Sequence, residues 1–134
     1  MNYTKEKQAI STLLDNFAQV LNSAKTKAIP DFFDQEAVFI PEGMGKFIGI
    51  DTLGKTDEGF LKRANFKISY TIKDIIVENN YAFVEAFAST VENRISDLNS
   101  VKKSSMDFFV LKNVDDNWKI YRYIFNNVKE LEVI

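Results

Sequence analysis

Apolar and polar positions alternate with two different periods along this chain, and the change of period divides it. In the first part Ile10, Leu13, Leu14, Phe17, Ala18 and Leu21 fall at i, i+3, i+4, i+7, i+8 and i+11, one continuous stripe that predicts an amphipathic helix, with Thr4 as its N-cap. Thr26 is placed to cap a second helix over Lys27 to Asp34, with Pro30 in its first turns, where a missing N–H costs little. Ala37-Val38-Phe39-Ile40 reads as a short strand closed by Pro41. The turn Glu42-Gly43-Met44-Gly45 returns Lys46-Phe47-Ile48 as a small hairpin. Asp51 is the expected N-cap of a third helix with Ile50, Leu53, Thr56 or Asp57, Phe60 and Leu61 on its inner face.

From Phe66 onward the period is two. Phe66, Ile68, Tyr70 and Ile72 alternate, and the apolar phase then slips to Ile75 and Val77, which predicts a bulge near Lys73-Asp74. Asn79-Asn80 is a tight-turn signal. Tyr81 to Val91 carries Tyr81, Phe83, Glu85 and Phe87 on one side and Ala82, Val84, Ala86 and Ala88 on the other. After a polar stretch, 92–100, the aromatic and β-branched runs 105–112 and 118–127 flank Asp115-Asp116-Asn117 as a long antiparallel hairpin. Helices followed by strands give an α+β architecture. We expect three N-terminal helices packed on a curved, mainly antiparallel sheet of four long strands plus short ones, a cone-shaped α+β barrel in one domain, 1–134. Both parities of the last hairpin are apolar, and Ile76, Phe83 or Val84, and Phe108 or Phe109 put apolar surface on the outer side of the sheet. The expected cover is a second copy across a two-fold axis, a homodimer.

Composition narrows the chemistry. The 134 residues are 46% hydrophobic with 12 Phe and 5 Tyr, enough for one core, and a net charge of -2 with both signs dispersed argues against nucleic-acid binding. There is no Cys and no His, which removes thiolate nucleophiles, zinc-thiolate sites, imidazole ligands and the usual general base near neutral pH. The carboxylates lack the close Asp/Asn/Gly spacing of a calcium loop, and no cofactor is expected. The polar N-terminus and the lack of an 18-residue apolar run give the expectation of a cytoplasmic protein without a membrane span.

Several segments together resemble the nuclear transport factor 2-like superfamily, also called SnoaL-like or ketosteroid-isomerase-like. They are Ala9-Ile10 to Leu21-Asn22, Ala28-Ile29 with Phe32-Phe33, Glu36-Ala37-Val38-Phe39, Gly49-Ile50-Asp51-Thr52-Leu53, Asn80-Tyr81-Ala82-Phe83-Val84 and Asn117-Trp118-Lys119-Ile120. The resemblance spans nearly the whole chain. It implies a deep apolar pocket between the helices and the concave face of the sheet, and frequent homodimers, on a scaffold that hosts isomerases, cyclases, dehydratases, epoxide hydrolases, transport adaptors and assembly domains. Of the three groups used by ketosteroid isomerases, the helix-1 tyrosine position corresponds to Phe17, the base position to Pro41 with Glu42 next to it, and the strand aspartate to Asp107. There is no His for scytalone-type dehydration and no Arg-x-Asp for limonene-type epoxide hydrolysis.

Asp107, set among Met106, Phe108 and Phe109, is the main candidate. In an apolar pocket its pKa rises and it becomes a neutral acid able to donate to a ligand carbonyl; otherwise it points outward or pairs with Arg122 or Lys119. Glu42 is the candidate base, or else an exposed turn residue. Phe17, Leu21, Phe33, Phe60, Tyr70, Phe87, Phe109, Tyr121, Tyr123 and Phe125 are the candidate pocket walls. Tyr121, Tyr123 and Phe125 share one parity of their strand and Trp118, Ile120, Arg122 and Ile124 the other, with the tyrosine side taken as the inner one. The reading that follows is a domain that binds a small hydrophobic molecule. The alternatives are a lyase or isomerase acting on a small carbonyl compound with Asp107 as acid and Glu42 as base, and a dimeric assembly module.

Overall fold

A computed structural model of the chain describes residues 3–50, 58–94, 96–97 and 99–133, without the side chains of Glu58 and Phe60. Helix α1, Thr4–Asn22, buries Ile10, Leu14, Phe17 and Ala18, the expected stripe, while Leu13 and Leu21 are half-buried at its margins. Tyr3, not Thr4, holds the N-cap position, and no side chain caps the helix there. At the other end Asn22 fastens the helix to the sheet. Its Nδ2 donates to Ile68 O at 3.0 Å and its Oδ1 accepts from Ile68 N at 2.6 Å, as a neighbouring strand would.

The next segment, Thr26–Phe32, is a 3-10 helix rather than the expected α-helix. Pro30 lies inside it and has no N–H to give to either kind of helical ladder. Strand β1, Phe33–Ile40, therefore begins four residues before the expected start at Ala37. Gly43 (φ +75°) and Gly45 (φ +81°) take left-handed conformations in the following turn, a region open to glycine without a Cβ penalty. The turn returns the chain as β2, Phe47–Ile48, pairing Val38 with Ile48 and Phe39 with Phe47. The expected third-helix start at Asp51, with Leu53, Thr56 and Asp57, lies outside the described residues. Within them α2 is short, Glu58–Arg63. The expectation of three full helices is thus corrected to one long helix with short ones.

Strands β3, Lys67–Glu78, β4, Tyr81–Asn93, β5, Ser100–Val114, and β6, Asn117–Val133, form an antiparallel meander. The register of β3 shifts between Ile72 and Asp74, so Lys73 is the extra residue of the expected bulge. Asp115 (φ 51°) and Asp116 (φ 66°) make the β5–β6 connection with the two positive φ values of a type I′ turn, which suits the twist of the strands it joins. The six strands lie in the order β2-β1-β6-β5-β4-β3, with β1 parallel to β6. Among the described residues this is a curved, open sheet with β2 and β3 at its edges, not a closed barrel.

The α1 stripe packs on one face of this sheet. Ile10, Leu14, Val84, Phe109, Leu111 and Ile120 are fully enclosed there. On β4 the small side chains Ala82, Val84, Ala86 and Ala88 point inward, which lets the helix approach closely; Tyr81, Phe83 and Phe87 stand on the outer face. That outer face is apolar across several strands. Ile76, Phe83, Phe87, Met106, Phe108 and Ile124 are all exposed, and register places Phe83 beside Ile76 and Phe108 beside Ile124. Among the described residues no helix is long and apolar enough to cross a membrane.

Candidate functional site

The site is set by a phase change in β6. Leu111 on β5 pairs with Ile120 and Val110 pairs with Arg122, so Tyr121 is an extra residue without a partner. Such a bulge reverses which parity faces the core. Trp118 and Ile120 are buried before it and Tyr123 after it, with Phe125 half-buried on the same side. Tyr121 instead stands with Tyr81, ring centroids 6.0 Å apart, under the Arg122 guanidinium at 3.9 Å. The inner wall is therefore built from both parities. Tyr121 does not belong to it, and neither does Phe87, 39% exposed on the outer face.

Asp107 is 3% exposed and faces inward between Ser105 and Phe109 on the same side of β5. Among the described residues it has no cationic partner. Ser105 Oγ donates to Asp107 Oδ1 at 2.5 Å, and Tyr123 Oη donates to Asp107 Oδ2 at 2.5 Å. Tyr70, inward on β3, lies with its Oη 2.9 Å from Tyr123 Oη. The result is a four-membered chain, Ser105–Asp107–Tyr123–Tyr70, crossing the sheet interior. Arg122 and Lys119, the alternative partners, are engaged elsewhere. Arg122 donates to Glu36 O and Tyr121 O, and Lys119 to Asp31 O.

Aromatic rings enclose this chain. Phe109 stacks on Tyr123 with centroids 4.1 Å apart and meets Tyr70 edge-on at 5.6 Å. Phe17 lies parallel to Tyr70 at 6.4 Å and edge-on to Tyr123 and Phe33. Tyr123 also meets Phe39 at 4.9 Å and Phe125 at 6.0 Å, and Phe47 stacks on Phe39. Phe39, Phe47, Phe125 and Tyr70 are only half-buried, so the shell thins at these residues.

Burial pushes the Asp107 carboxyl above the ordinary carboxylate range, and the bonds from Ser105 and Tyr123 only partly oppose it. Burial likewise raises both phenols. For Tyr123 the neighbouring Tyr70 and Asp107 add to the effect, and for Tyr70 the hydrogen bond with Tyr123 works against it. The site thus consists of a carboxyl group inclined to hold its proton and two phenols that keep theirs.

Of the other residues singled out in the sequence, Phe17, Phe33, Phe109 and Tyr123 are buried, and Tyr70, Leu21 and Phe125 are half-buried at the inner face. Phe60 has no described side chain. Glu42 is exposed after β1, its Oε1 accepting from Val128 N at 3.3 Å, and has no part in the Asp107 network. Ser105 escaped the sequence reading; its signal was a hydroxyl two residues before a buried carboxylate, hence on the same strand face. Two concavities, of about 320 and 290 Å³, open on the outside of the molecule. One is lined by residues from Ser23 to Lys27 and Lys62, the other by α1, Asp31, Phe32 and residues 116–119, and neither touches Asp107. Among the described residues no group of three or more Asp or Glu is placed to hold a metal ion.

No protein-family model matches the sequence, and no curated protein matches it. Solved structures do match the fold. A ketosteroid isomerase-like protein from Erwinia carotovora atroseptica superimposes with a TM-score of 0.80 at 18% identity, over 96% of this chain and 98% of that one. An NTF-2 like protein of unknown function from Shewanella oneidensis MR-1 gives 0.72 at 20%, over 90% and 98%. A hexachlorocyclohexane dehydrochlorinase of type 2 gives 0.78 at 13%, over 97% and 91%. At these identities the likeness is one of architecture: the chain has the nuclear transport factor 2-like, ketosteroid isomerase-like fold.

Proposed function

We propose that this chain binds a small hydrophobic molecule between α1 and the concave face of the sheet, on the side where Tyr70, Phe39, Phe47 and Phe125 are half-buried. The observation that carries the reading is the Ser105–Asp107–Tyr123–Tyr70 chain itself. A carboxyl group placed inside an aromatic shell without a cation costs stability, because desolvation disfavours its charged form. A core built for stability alone would have an apolar residue there. A ligand site gains from such a group, since a few fixed polar atoms within an apolar wall set orientation and selectivity. The fold neighbours are consistent with this use, one named a ketosteroid isomerase-like protein and one a hexachlorocyclohexane dehydrochlorinase.

Binding is favoured over catalysis by the position of Glu42. An acid–base mechanism needs two groups within reach of one reacting region, and Glu42 is exposed and bonded to Val128 N while Asp107 is enclosed. The enzymatic alternative, an isomerase or lyase with Asp107 as acid, keeps one point of support, the raised pKa of that carboxyl. The test of the binding reading is mass spectrometry of organic extracts from purified protein, compared with a Phe39→Arg variant that puts charge into the half-buried aromatic group. A small apolar compound in the native extract and its loss in the variant support the reading. Extracts free of any such compound, together with no uptake of added apolar probes, overturn it.

The exposed apolar outer face supports a homodimer. Ile76, Phe83, Phe108, Met106 and Ile124 form a patch across four strands, which a second copy related by a two-fold axis covers with its identical surface. Sedimentation of the purified protein as a monomer at micromolar concentration overturns this part.

A further inference from the structure

The outer face of the sheet sorts its charges by strand. Register aligns Ile76, Phe83, Val110 and Arg122 in one row from β3 to β6. On one side of that row Asp74 and Glu85 stand directly opposite each other on β3 and β4. On its other side Glu78 is opposite Tyr81, and Lys112 and Lys119 are opposite each other on β5 and β6. Every acid in these rows is on β3 or β4 and every base on β5 or β6; Lys73, the bulge residue, stands outside them. Two like-charge pairs result, Asp74 with Glu85 and Lys112 with Lys119, an arrangement that costs stability in an isolated sheet. Lys112 and Arg122 also share one ring, lying 5.2 and 3.9 Å from the Tyr121 centroid. Among the described residues none of these charged groups forms an ion pair. Arg122 and Lys119 reach only backbone carbonyl oxygens, which leave their charge uncompensated.

This is the face proposed above to meet a second copy, and its charges discriminate between the ways two copies can meet. A two-fold axis that runs across the strands lays each strand on its own counterpart, acidic half on acidic half and basic half on basic half. An axis that runs along the strands, at the β4–β5 boundary, lays β3 on the partner's β6 and β4 on the partner's β5. The partner's Arg122 then stands over Ile76, between Asp74 and Glu78, and the partner's Lys112 over Tyr81, next to Glu78. Phe83 closes on the partner's Val110, so the apolar middle stays continuous. We infer that two copies pair about this second axis as an aligned sandwich, the acidic β3–β4 half of each seated on the basic β5–β6 half of the other. The inference rests on the dimer reading above and gives that dimer its orientation.

Sedimentation equilibrium of charge-reversed chains tests it. Asp74→Lys with Glu78→Lys, both exposed on β3, should weaken the dimer at least about tenfold, because the partner's Arg122 and the partner's Lys112 then meet cations. Lys112→Glu with Arg122→Glu should weaken it likewise. An equimolar mixture of the two variants should form a heterodimer about as tight as the native dimer, since each reversed half again faces its opposite. Should the second variant fail to fold, the first decides alone. A β3 variant that dimerises like the native chain, or two folded variants that stay apart on mixing, overturns the inference and leaves the dimer reading intact. A native chain that is a monomer at micromolar concentration overturns both.

Discussion

Tyr123 donates its phenolic hydrogen to Asp107 across the β5–β6 ladder, at 2.5 Å, although the residue directly opposite Asp107 is Phe125 and the one opposite Tyr123 is Phe109. The bond is diagonal. It exists because the bulge at Tyr121 turns Tyr123 inward, and because Asp107 lies two residues from Phe109 on the same strand face. Removing the donor should therefore cost more than removing a hydroxyl from the outer end of the chain. Tyr123→Phe leaves a buried carboxyl oxygen unsatisfied and should destabilise the fold by about 1–3 kcal/mol, whereas Tyr70→Phe removes only the last bond of the chain, between two hydroxyl groups, and should cost about 0.5–1.5 kcal/mol. Urea unfolding of both variants checks the order, and equal effects contradict it.

The pH dependence of stability has an unusual sign at this residue. Burial raises the folded-state pKa of Asp107 above the ordinary value of 3.8, so between that value and the raised one the folded chain holds a proton that the unfolded chain has released. Stability from this group is fully present below the unfolded pKa and is lost as pH rises through the folded pKa. Asp107→Asn lacks the titrating group. Its stability relative to the native protein should increase as pH is raised through that window and level off above it, which denaturation at a series of pH values measures.

Asn22 is a structural pin rather than a site residue. It holds the edge strand to the end of α1 by accepting from Ile68 N and donating to Ile68 O. Asn22→Ala should cost about 1–3 kcal/mol by removing two hydrogen bonds from a partly buried backbone group. Hydrogen exchange should quicken at Ile68 and its neighbours on β3 more than on β5; uniform quickening contradicts the assignment.

The outer face has its own test. Phe108 lies beside Glu85 on one neighbouring strand and Ile124 on the other, all outward. Phe108→Glu places like charges side by side in the middle of the proposed interface. The variant should keep the secondary structure of the native chain and sediment as a monomer where the native chain sediments as a dimer. An unchanged dimer removes this face from consideration.

Much of this architecture was legible in the sequence because it rests on strong local signals. The α1 stripe, the Lys73 bulge, the Asn79-Asn80 turn and the alternation of β4 each follow from spacing alone. The 3-10 helix and the early start of β1 were not legible, since Thr26, Pro30 and Phe33 suit either helix type and the choice depends on how the chain meets the sheet. At the site, the lone carboxyl at Asp107 was visible as a charge within an apolar run. Its partners were not. The bulge at Tyr121 falls in a run where both parities are apolar, so nothing in the pattern marks where the phase reverses. For that reason Tyr123 and Tyr121, two residues apart and alike, end on opposite faces.

The central claim is that the Asp107 chain borders a place where an apolar molecule enters. Aromatic and carboxyl NMR signals of Tyr70, Phe39, Phe125 and Asp107, followed during titration with ethylbenzene, test it most directly. The account predicts saturable shifts at these four residues, with Phe83, Phe108 and Ile124 on the outer face unmoved. Shifts confined to the outer face, or none at any concentration, contradict it.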